Sequence, residues 1–259
     1  MLDYGGVYAA KTGADSVADQ RQSTRRVMFS STGWQRTGVP GCDPQQTMPR
    51  DLTLSTPTEA ALHGERGAPF LWIEPAKELA ELRTTAAPKF HATTGVSGAT
   101  IVAAGAQIEV VVSCSGASAK VADISLVLTV LQSKDGKEGV RVSYWQTNNT
   151  LQVDHSRANT HSPSKLVQNA PVPSTIFSAN GSLELRVVVD GGLIETFLGR
   201  RIAITSLVGL PPVAPGPPHH QVKDCTPTTS LGCLFESNCG SDPTKVSAID
   251  GITLCVLEC

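Results

Sequence analysis

The stretch at residues 182–206, SLELRVVVDGGLIETFLGRRIAITS, decides the fold. In its first half Leu and Val alternate with Glu184 and Arg186, and this period of two predicts a strand with one buried face. Asp190-Gly191-Gly192 separates this run from a second apolar run, and an Asp-Gly pair in that position is typical of a tight β-hairpin. The segment therefore predicts two antiparallel strands.

The rest of the chain repeats this β pattern. Short apolar runs separated by Gly, Pro, Ser and Thr predict strands, and residues 74–83 alone have helical spacing, with Pro75 at a first helical position. Such closely spaced strands predict an all-β fold that contains a β-sandwich. We expect strands at residues 101–113, 124–131, 140–145, 151–155, 183–189, 193–198, 201–207 and 246–257.

Size and charge exclude several classes of partner. The chain has 259 residues, enough to bury a large core, and a net charge of −2 gives no electrostatic case for nucleic acid or an anionic membrane. No apolar run reaches the ~18 residues that a bilayer span requires. The first residues also lack the basic start and apolar stretch of a signal peptide. We expect no nucleic-acid partner and no membrane partner.

Cysteines and sequons indicate a cellular compartment. Five of the seven cysteines, Cys225, Cys233, Cys239, Cys255 and Cys259, lie near the end of the chain, and Asn-x-Ser/Thr motifs begin at Asn148 and Asn180. Clustered cysteines favour disulfides in an oxidising compartment, and their spacing is not that of a zinc site. We predict the secretory pathway, extracellular or vacuolar, with the protein's own amino terminus missing, and no metal. A cytosolic protein with reduced thiols is the alternative.

Six segments in chain order, together with the 182–206 hairpin, resemble glycoside hydrolase family 32, the invertases and fructan-cleaving enzymes. Any one of these matches is short, but together they run from Asp3 to Asp250. They are DYG at 3–5 with YAAKT at 8–12, RRVMF at 25–29 with GW at 33–34, MPRDLTL at 48–54, IEP through LR at 73–83, VDHSR at 153–157 and GSDP through VSAID at 240–250.

The resemblance implies the domain organisation. Family members have a five-bladed β-propeller followed by a C-terminal β-sandwich, so we expect the remnant of the last one to two blades in residues 1–66. A linker with a short helix is then expected at 67–84 and the sandwich at 85–259, with a Pro- and Cys-rich insertion at about 211–241. On this interpretation the sequence is the C-terminal part of a longer protein, and Met1 is an internal methionine.

The resemblance also implies a reaction. The family cleaves or transfers fructofuranosyl groups with retention, which takes two carboxylates ~5 Å apart and no metal or organic cofactor. The family's NDPN, RDP and EC motifs are absent, since Asp43-Pro44 and Glu258-Cys259 lack the required context. We therefore assign no catalytic residue, expect the chain to be inactive alone, and expect the parent to act on sucrose or fructans. A non-catalytic carbohydrate-binding or structural sandwich module is the alternative.

Two residues are candidates for substrate binding. In the family the DYG segment approaches the sugar, and the Asp3 carboxylate is suited to bind vicinal hydroxyls; otherwise Asp3 is a solvated residue. Gly6 stands where sucrose-cleaving plant members often have Lys, which puts a sucrose preference in doubt. Trp34 is a candidate for the pocket rim or, alternatively, for a buried blade position. We expect Tyr8 in the core and Arg50 paired with a carboxylate.

Residues 154–157 contain the residue types of a hydrolase triad. Asp154, His155 and Ser156 are adjacent, however, and adjacent side chains on a strand point to opposite faces of the sheet. They are therefore unable to form a nucleophile–base–orienter arrangement. We expect Asp154 and Arg157 to have structural roles.

Overall fold

Strands in three sheets make up most of the structure, which confirms the all-β prediction. The structure is a computed structural model that describes residues 1–14, 25–32, 45–62, 69–82, 92–93, 99–103, 107–114, 125–132, 137–158, 166–177, 182–190, 192–208, 231–238, 245–246 and 252–258.

The first sheet, which we call the amino-terminal sheet, has four antiparallel strands in sequential order. These are β1 (Tyr8–Ala14), β2 (Arg25–Ser31), β3 (Arg50–Leu54) and β4 (Leu71–Pro75). The sheet extends past residue 66, because β4 lies within the 67–84 stretch that we interpreted as a linker. The prediction that Tyr8 is a core residue is wrong: Tyr8 is exposed because β1 is the edge strand.

Two short helices accompany this sheet. Helix α1 (Pro57–Leu62) begins with a capping box, in which the Glu59 amide donates to the Thr56 hydroxyl and the Thr56 amide donates to the Glu59 carboxylate. A 3-10 helix (Lys77–Leu82) follows β4, within the predicted helix at 74–83. Pro75 ends the strand instead of beginning the helix.

The remaining strands form two sheets. The six-stranded sheet has the order β11-β10-β9-β8-β15-β6, and the seven-stranded sheet has the order β14-β13-β12-β7-β17-β16-β5. All neighbours are antiparallel except β7 and β17. The strands are β5 (Ala92–Thr93), β6 (Ala99–Ala103), β7 (Gln107–Cys114), β8 (Ser125–Gln132), β9 (Val140–Trp145), β10 (Thr150–Asp154), β11 (Val167–Pro171), β12 (Leu183–Asp190), β13 (Leu193–Leu198), β14 (Ile202–Leu207), β15 (Leu231–Asn238), β16 (Lys245–Val246) and β17 (Ile252–Glu258).

The predicted hairpin is confirmed. Asp190 of β12 pairs with Leu193 of β13, which leaves two residues for the turn. Two predicted strands are each divided: 101–113 into β6 and β7, and 246–257 into β16 and β17. β15 lies within the insertion predicted at 211–241 and pairs with β6 and β8; most of the remainder of that insertion lies outside the described residues.

The two larger sheets enclose one apolar core, as a β-sandwich requires. Leu183, Leu185, Val187 and Val189 project into it from β12, as their alternation predicted. A smaller apolar cluster joins the seven-stranded sheet to the amino-terminal sheet. It contains Met28, Leu52, Ile73, Phe197 and Ala203.

Candidate functional site

Strands β13 and β14 are buried on both faces, unlike ordinary outer strands of a sandwich. Alternate residues project into the sandwich core, while the others face the amino-terminal sheet. The face toward the amino-terminal sheet carries polar as well as apolar side chains. The residues that face the core are Ile194, Leu198, Ile202 and Ile204, and those that face the amino-terminal sheet are Glu195, Phe197, Ala203 and Thr205.

Arg50, the first residue of β3, reaches across this interface. Its Nε and Nη2 donate to Oε2 of Glu195 at 3.1 and 2.5 Å, and its Nη1 donates to Oδ2 of Asp3 at 2.7 Å. Nη2 also donates to the Thr205 hydroxyl. The guanidinium carbon lies 5.1 Å from the centroid of the Phe197 ring. We call Asp3, Arg50, Glu195 and Thr205 the Arg50 cluster.

The charges of this cluster are withdrawn from water. The side chains of Arg50, Asp3 and Glu195 are 0, 2 and 1% exposed. Burial disfavours the charged guanidinium, but the negative charges of Glu195 and Asp3 outweigh burial and raise the pKa of Arg50. Arg50 therefore stays charged and neutralises one of its two carboxylate partners.

Asp3 also organises the chain around it. Its Oδ1 accepts from the amides of Gly5 at 2.6 Å and Thr205 at 3.0 Å, and its Oδ2 accepts from the Thr205 hydroxyl at 2.7 Å. The amides of Tyr4 and Gly6 donate to the carbonyls of Ala203 and Thr205. The amino-terminal segment thereby covers the free edge of β14.

Gly5 is required where this segment meets β14. A Cβ on Gly5 would lie 1.9 Å from the carbonyl oxygen of Thr205 and 2.6 Å from its nitrogen. Both atoms are backbone, so no side-chain movement relieves the clash. The glycine of the DYG segment therefore permits close approach of two backbones.

A second contact fixes the end of the amino-terminal sheet. The Ile73 amide donates to the Arg200 carbonyl at 2.6 Å, and the Arg200 guanidinium pairs with Glu74 at 2.7 Å. The same guanidinium lies 4.8 Å from the Trp72 ring centroid. Arg200 lies in the turn between β13 and β14 and has a φ of 57°.

A cleft lies on the amino-terminal sheet next to the 3-10 helix. Its volume is about 500 Å³, and Val27, Phe29 and Leu79 give it an apolar lining. Arg25 at its side pairs with both Asp51 and Glu78 at 2.6 Å. The hydrogen bond from Arg25 is the main cause of the lowered pKa of Glu78.

The structure describes two of the residues singled out from the sequence, Asp3 and Arg50, but not Trp34. Asp3 lies in the Arg50 cluster, where both carboxylate oxygens already accept two hydrogen bonds each. Its contact with a sugar stays a prediction. Trp34 lies outside the described residues, so its role at a pocket rim also stays a prediction. Arg50 does pair with carboxylates, as expected.

The residues at 154–157 do not assemble a triad. Neither ring nitrogen of His155 has a hydrogen-bond partner among the residues that the structure describes. Asp154 instead accepts from the Ser156 amide at 2.7 Å, and Arg157 donates to the Lys137 carbonyl. Burial lowers the pKa of His155 to about 4, against the opposing charge of Asp154.

Sequence reasoning missed Glu195 and Thr205. Both lie in strands whose other residues are mostly apolar, LIETFL and IAITSL. A carboxylate in the middle of such a strand is a readable signal, because a buried charge requires a partner. The partner itself lies 145 residues away in Arg50 and is not readable from local pattern.

The Arg50 cluster holds chain segments together and leaves no reactive acid. Both oxygens of Asp3 and of Glu195 are occupied by donors, so neither carboxylate is available to attack or protonate a sugar. Within the described ranges, no group of three or more His, Cys, Asp or Glu is arranged to bind a metal ion. None of the helices found in those ranges combines the length and apolar character needed to cross a bilayer.

Comparison with solved structures shows where this architecture recurs. Exo-inulinase from Aspergillus awamori has a TM-score of 0.60 and 16% identity, over 93% of this chain and 44% of that one. Fructan 1-exohydrolase IIa from Cichorium intybus has a TM-score of 0.59 and 19% identity, over 100% of this chain and 50% of that one. β-Fructofuranosidase from Aspergillus kawachii has a TM-score of 0.58 and 16% identity, over 95% of this chain and 46% of that one.

These similarities concern the fold, and this chain spans about half the length of each of these proteins. Comparison with curated proteins gave no match. The model of the family described as "Glycosyl hydrolases family 32 C terminal" matches residues 78–215, which is more than half of the chain. The chain therefore belongs to the C-terminal part of glycosyl hydrolase family 32.

Proposed function

We propose that this chain is the C-terminal portion of a retaining glycoside hydrolase that acts on β-fructofuranosides, sucrose or fructans. The catalytic carboxylates of the parent lie outside this chain, which supplies the sandwich and one sheet of the catalytic domain. The observation that carries the proposal is the family match over 78–215, which coincides with the sandwich strands from β5 to β14.

The relatives of similar fold support the substrate class. They are an exo-inulinase, a fructan exohydrolase and a β-fructofuranosidase, and one structure of the fructan exohydrolase holds 1-kestose. Each is about twice as long as this chain, so each has room for parts that this chain lacks. We infer the same class of β-fructoside substrate for the parent of this chain.

The amino-terminal sheet is, in this proposal, the last blade of a propeller. A propeller protects its sheet edges by arranging blades in a ring, so the orientation of its last blade must be defined. Arg50 joins that sheet to the sandwich through Glu195 and to the DYG segment through Asp3. The Arg50 cluster would then fix the position of the blade from which DYG approaches the sugar.

The role of Asp3 follows from its bonds. A sugar hydroxyl would have to replace one of the four donors that Asp3 now accepts from. We propose that Asp3 acts mainly by holding the Tyr4-Gly5-Gly6 backbone in place. The direct contact of Asp3 with sugar, like the stacking role of Trp34, remains a prediction.

Reading the genomic DNA upstream of Met1 and expressing both lengths of protein tests this proposal. We expect an in-frame NDPN-type motif, release of fructose from sucrose, inulin or levan by the longer protein, and none by residues 1–259. NMR of the first-formed product should show retention of configuration. Robust fructose release by residues 1–259, or a longer protein that cleaves no fructoside, would contradict the proposal.

A non-catalytic module that binds saccharides is the second candidate. The buried residues of the large apolar cluster all lie in the sandwich, and Tyr4 of the amino-terminal segment packs against them. If the longer protein binds saccharides at equilibrium but does not hydrolyse them, the result would support this candidate.

We also propose a secretory location, extracellular or vacuolar. The proposal rests on the cysteine cluster and the sequons, one of which begins at Asn148, an exposed residue in the turn after β9. Expression in a secreting eukaryotic host followed by enzymatic deglycosylation should lower the apparent mass. An unchanged mass would count against this location.

A further inference from the structure

The outer face of the six-stranded sheet carries a group of side chains that the proposed function does not use. In β8, β9, β10 and β11 the alternate residues that face the core are apolar and buried, so the others project outward. We call this the Trp145 face. Its central members are Arg141, Ser143 and Trp145 of β9, Gln152 and Asp154 of β10, and Asn169 of β11.

This face and the amino-terminal sheet lie on different sides of the sandwich. The amino-terminal sheet packs on the outer side of the seven-stranded sheet, against Phe197 and Ala203. The Trp145 face is the outer side of the six-stranded sheet. The six- and seven-stranded sheets meet at one edge, where the Gln168 amide nitrogen of β11 donates to the Thr205 carbonyl at 3.2 Å.

An aromatic ring and two amides lie next to each other on the Trp145 face. Trp145 is partly exposed, and the Arg141 guanidinium carbon lies 5.8 Å from its ring centroid. The Gln152 amide nitrogen donates to the Asn169 amide oxygen at 2.9 Å. Gln152 is the cross-strand neighbour of Ser143, and Trp145 that of Thr150, so the amide pair lies diagonally from Trp145. With strands ~4.8 Å apart, one short chain molecule would span both.

The amides keep hydrogen-bonding capacity. In the described part of the chain the Gln152 amide oxygen and the Asn169 amide nitrogen form no hydrogen bond, and they are an acceptor and a donor side by side. Vicinal hydroxyls, each both donor and acceptor, match such a pair. The apolar face of the Trp145 ring matches the carbon-bound hydrogens of a sugar ring.

Ser143 adds an independent observation. It lies between Arg141 and Trp145 on the same strand and is 0% exposed, yet its hydroxyl has no partner among the described residues. A buried polar group without a partner is unfavourable. Its cross-strand neighbour Val127 on the same face is 8% exposed, so a ligand hydroxyl would provide the missing partner once a neighbouring side chain moved aside.

The charge of the face favours a neutral ligand. Arg141 and Asp154 are direct cross-strand neighbours of opposite charge, so the central face has no net charge. A polyanion or polycation would therefore find no complementary field. A neutral polyhydroxylated chain has the required chemistry.

We propose that the Trp145 face is a second, non-catalytic saccharide-binding site that holds a neutral fructan chain. The fructan class rests on the proposed function, whereas the site itself rests on Trp145, Ser143, Gln152 and Asn169. Its role would be to retain a polymeric substrate near the enzyme.

Affinity electrophoresis of residues 1–259 in gels that contain inulin, levan or dextran tests the site. We expect retardation by inulin or levan and none by dextran. Trp145→Ala should weaken binding by about tenfold or more. The double variant Gln152→Ala with Asn169→Ala, which removes two side chains that bond to each other at the surface, should also weaken it.

Phe29→Ala is the matched control, because Phe29 is an exposed aromatic residue on the amino-terminal sheet. It should bind as the unchanged chain does, and circular dichroism should show all variants folded. No binding of any fructan overturns the inference, as does binding that Phe29→Ala weakens and Trp145→Ala does not. Equal retardation by dextran overturns the fructan class. The proposed function is tested separately, by whether the longer protein cleaves fructosides.

Discussion

Two arginine–carboxylate clusters lie over the same outer face of the seven-stranded sheet, and they differ in what covers them. The Arg50 cluster lies beneath the amino-terminal sheet, with Arg50 0% exposed. In the second, which we call the Arg186 cluster, Arg186 of β12 binds Glu109 and Glu184, each at 3.0 Å. Arg186 is 26% exposed and Glu184 40% exposed, whereas Glu109 is 3% exposed.

The two clusters are neighbours. Arg186 is the direct cross-strand partner of Phe197, and the Phe197 ring lies beneath the Arg50 guanidinium. Each cluster has one guanidinium and two carboxylates, so composition does not distinguish them. Coverage by the amino-terminal sheet distinguishes them, because water reaches the guanidinium and one carboxylate of the Arg186 cluster and no charged group of the Arg50 cluster.

Removing Arg50 should have the largest effect. Arg50→Met leaves Asp3 and Glu195 buried without their cation, and breaking a buried pair in this way costs ~3–5 kcal/mol. Urea unfolding should show this loss in the free energy of unfolding. Adding Glu195→Leu to Arg50→Met should recover part of it, since an apolar pair needs no desolvation of charge. If Arg50→Met lost less free energy of unfolding than Arg186→Met, the comparison between the two clusters would be contradicted.

His155, a buried titratable group with no hydrogen-bond partner in the described part of the chain, extends the comparison to pH. His155 has a pKa of about 4 in the folded chain, against 6.5 as reference, because burial disfavours its charged form. The unfolded chain then binds a proton that the folded chain does not. The contribution of neutral His155 to stability is therefore complete above pH 6.5 and falls as the pH drops from 6.5 toward 4.

His155→Leu measures this effect. The lowering of the His155 pKa from 6.5 to about 4 corresponds to a loss of at most ~3 kcal/mol near pH 4 for the unchanged chain. The variant should lack this part of the pH dependence, so the difference in unfolding free energy between the two proteins should change between pH 7 and pH 4.5. Parallel pH profiles would contradict the account.

Gly5 tests the backbone contact beside Arg50. Gly5→Ala places a Cβ 1.9 Å from the Thr205 carbonyl oxygen and should cost ~1–3 kcal/mol, in the range of overpacking. Gly13→Ala is the control, because no heavy atom lies within 4 Å of a Cβ on Gly13. Thermal unfolding should separate the two variants. Equal melting temperatures would show that the amino-terminal segment is not held against β14.

Arg186→Met should cost less than Arg50→Met, ~1–2 kcal/mol, because water reaches Arg186 and Glu184 and only one carboxylate, Glu109 at 3% exposure, is left buried without that cation. The same urea titration used for Arg50→Met gives the comparison directly. A loss as large as that of Arg50→Met would mean that coverage by the amino-terminal sheet is not what distinguishes the clusters.

Local patterns predicted some elements and not others. The β12–β13 hairpin was readable because alternation and the Asp190-Gly191-Gly192 turn signal lie within one short stretch. β15 was not, because it follows a proline-rich stretch and pairs with β6 and β8, which lie about a hundred residues earlier. Helix α1 had a readable capping box at Thr56 and Glu59, but only six residues.

The contact between the amino-terminal sheet and the sandwich could be predicted only in part. That Arg50 would pair with a carboxylate followed from its position, but its partners are 47 and 145 residues away. Pairing over such distances depends on how the sheets pack, which periodicity does not encode. The family resemblance, confirmed by the match over 78–215, connected these segments where local chemistry did not.

Hydrogen exchange at the Tyr4 and Gly6 amides tests most directly whether the Arg50 cluster joins the amino-terminal segment to the sandwich. Both amides donate to β14 carbonyls in the structure. We predict that Arg50→Met accelerates their exchange while the Val187 amide in β12 stays protected, and that Arg186→Met changes none of the three. Unchanged protection of Tyr4 and Gly6 in Arg50→Met would contradict the account.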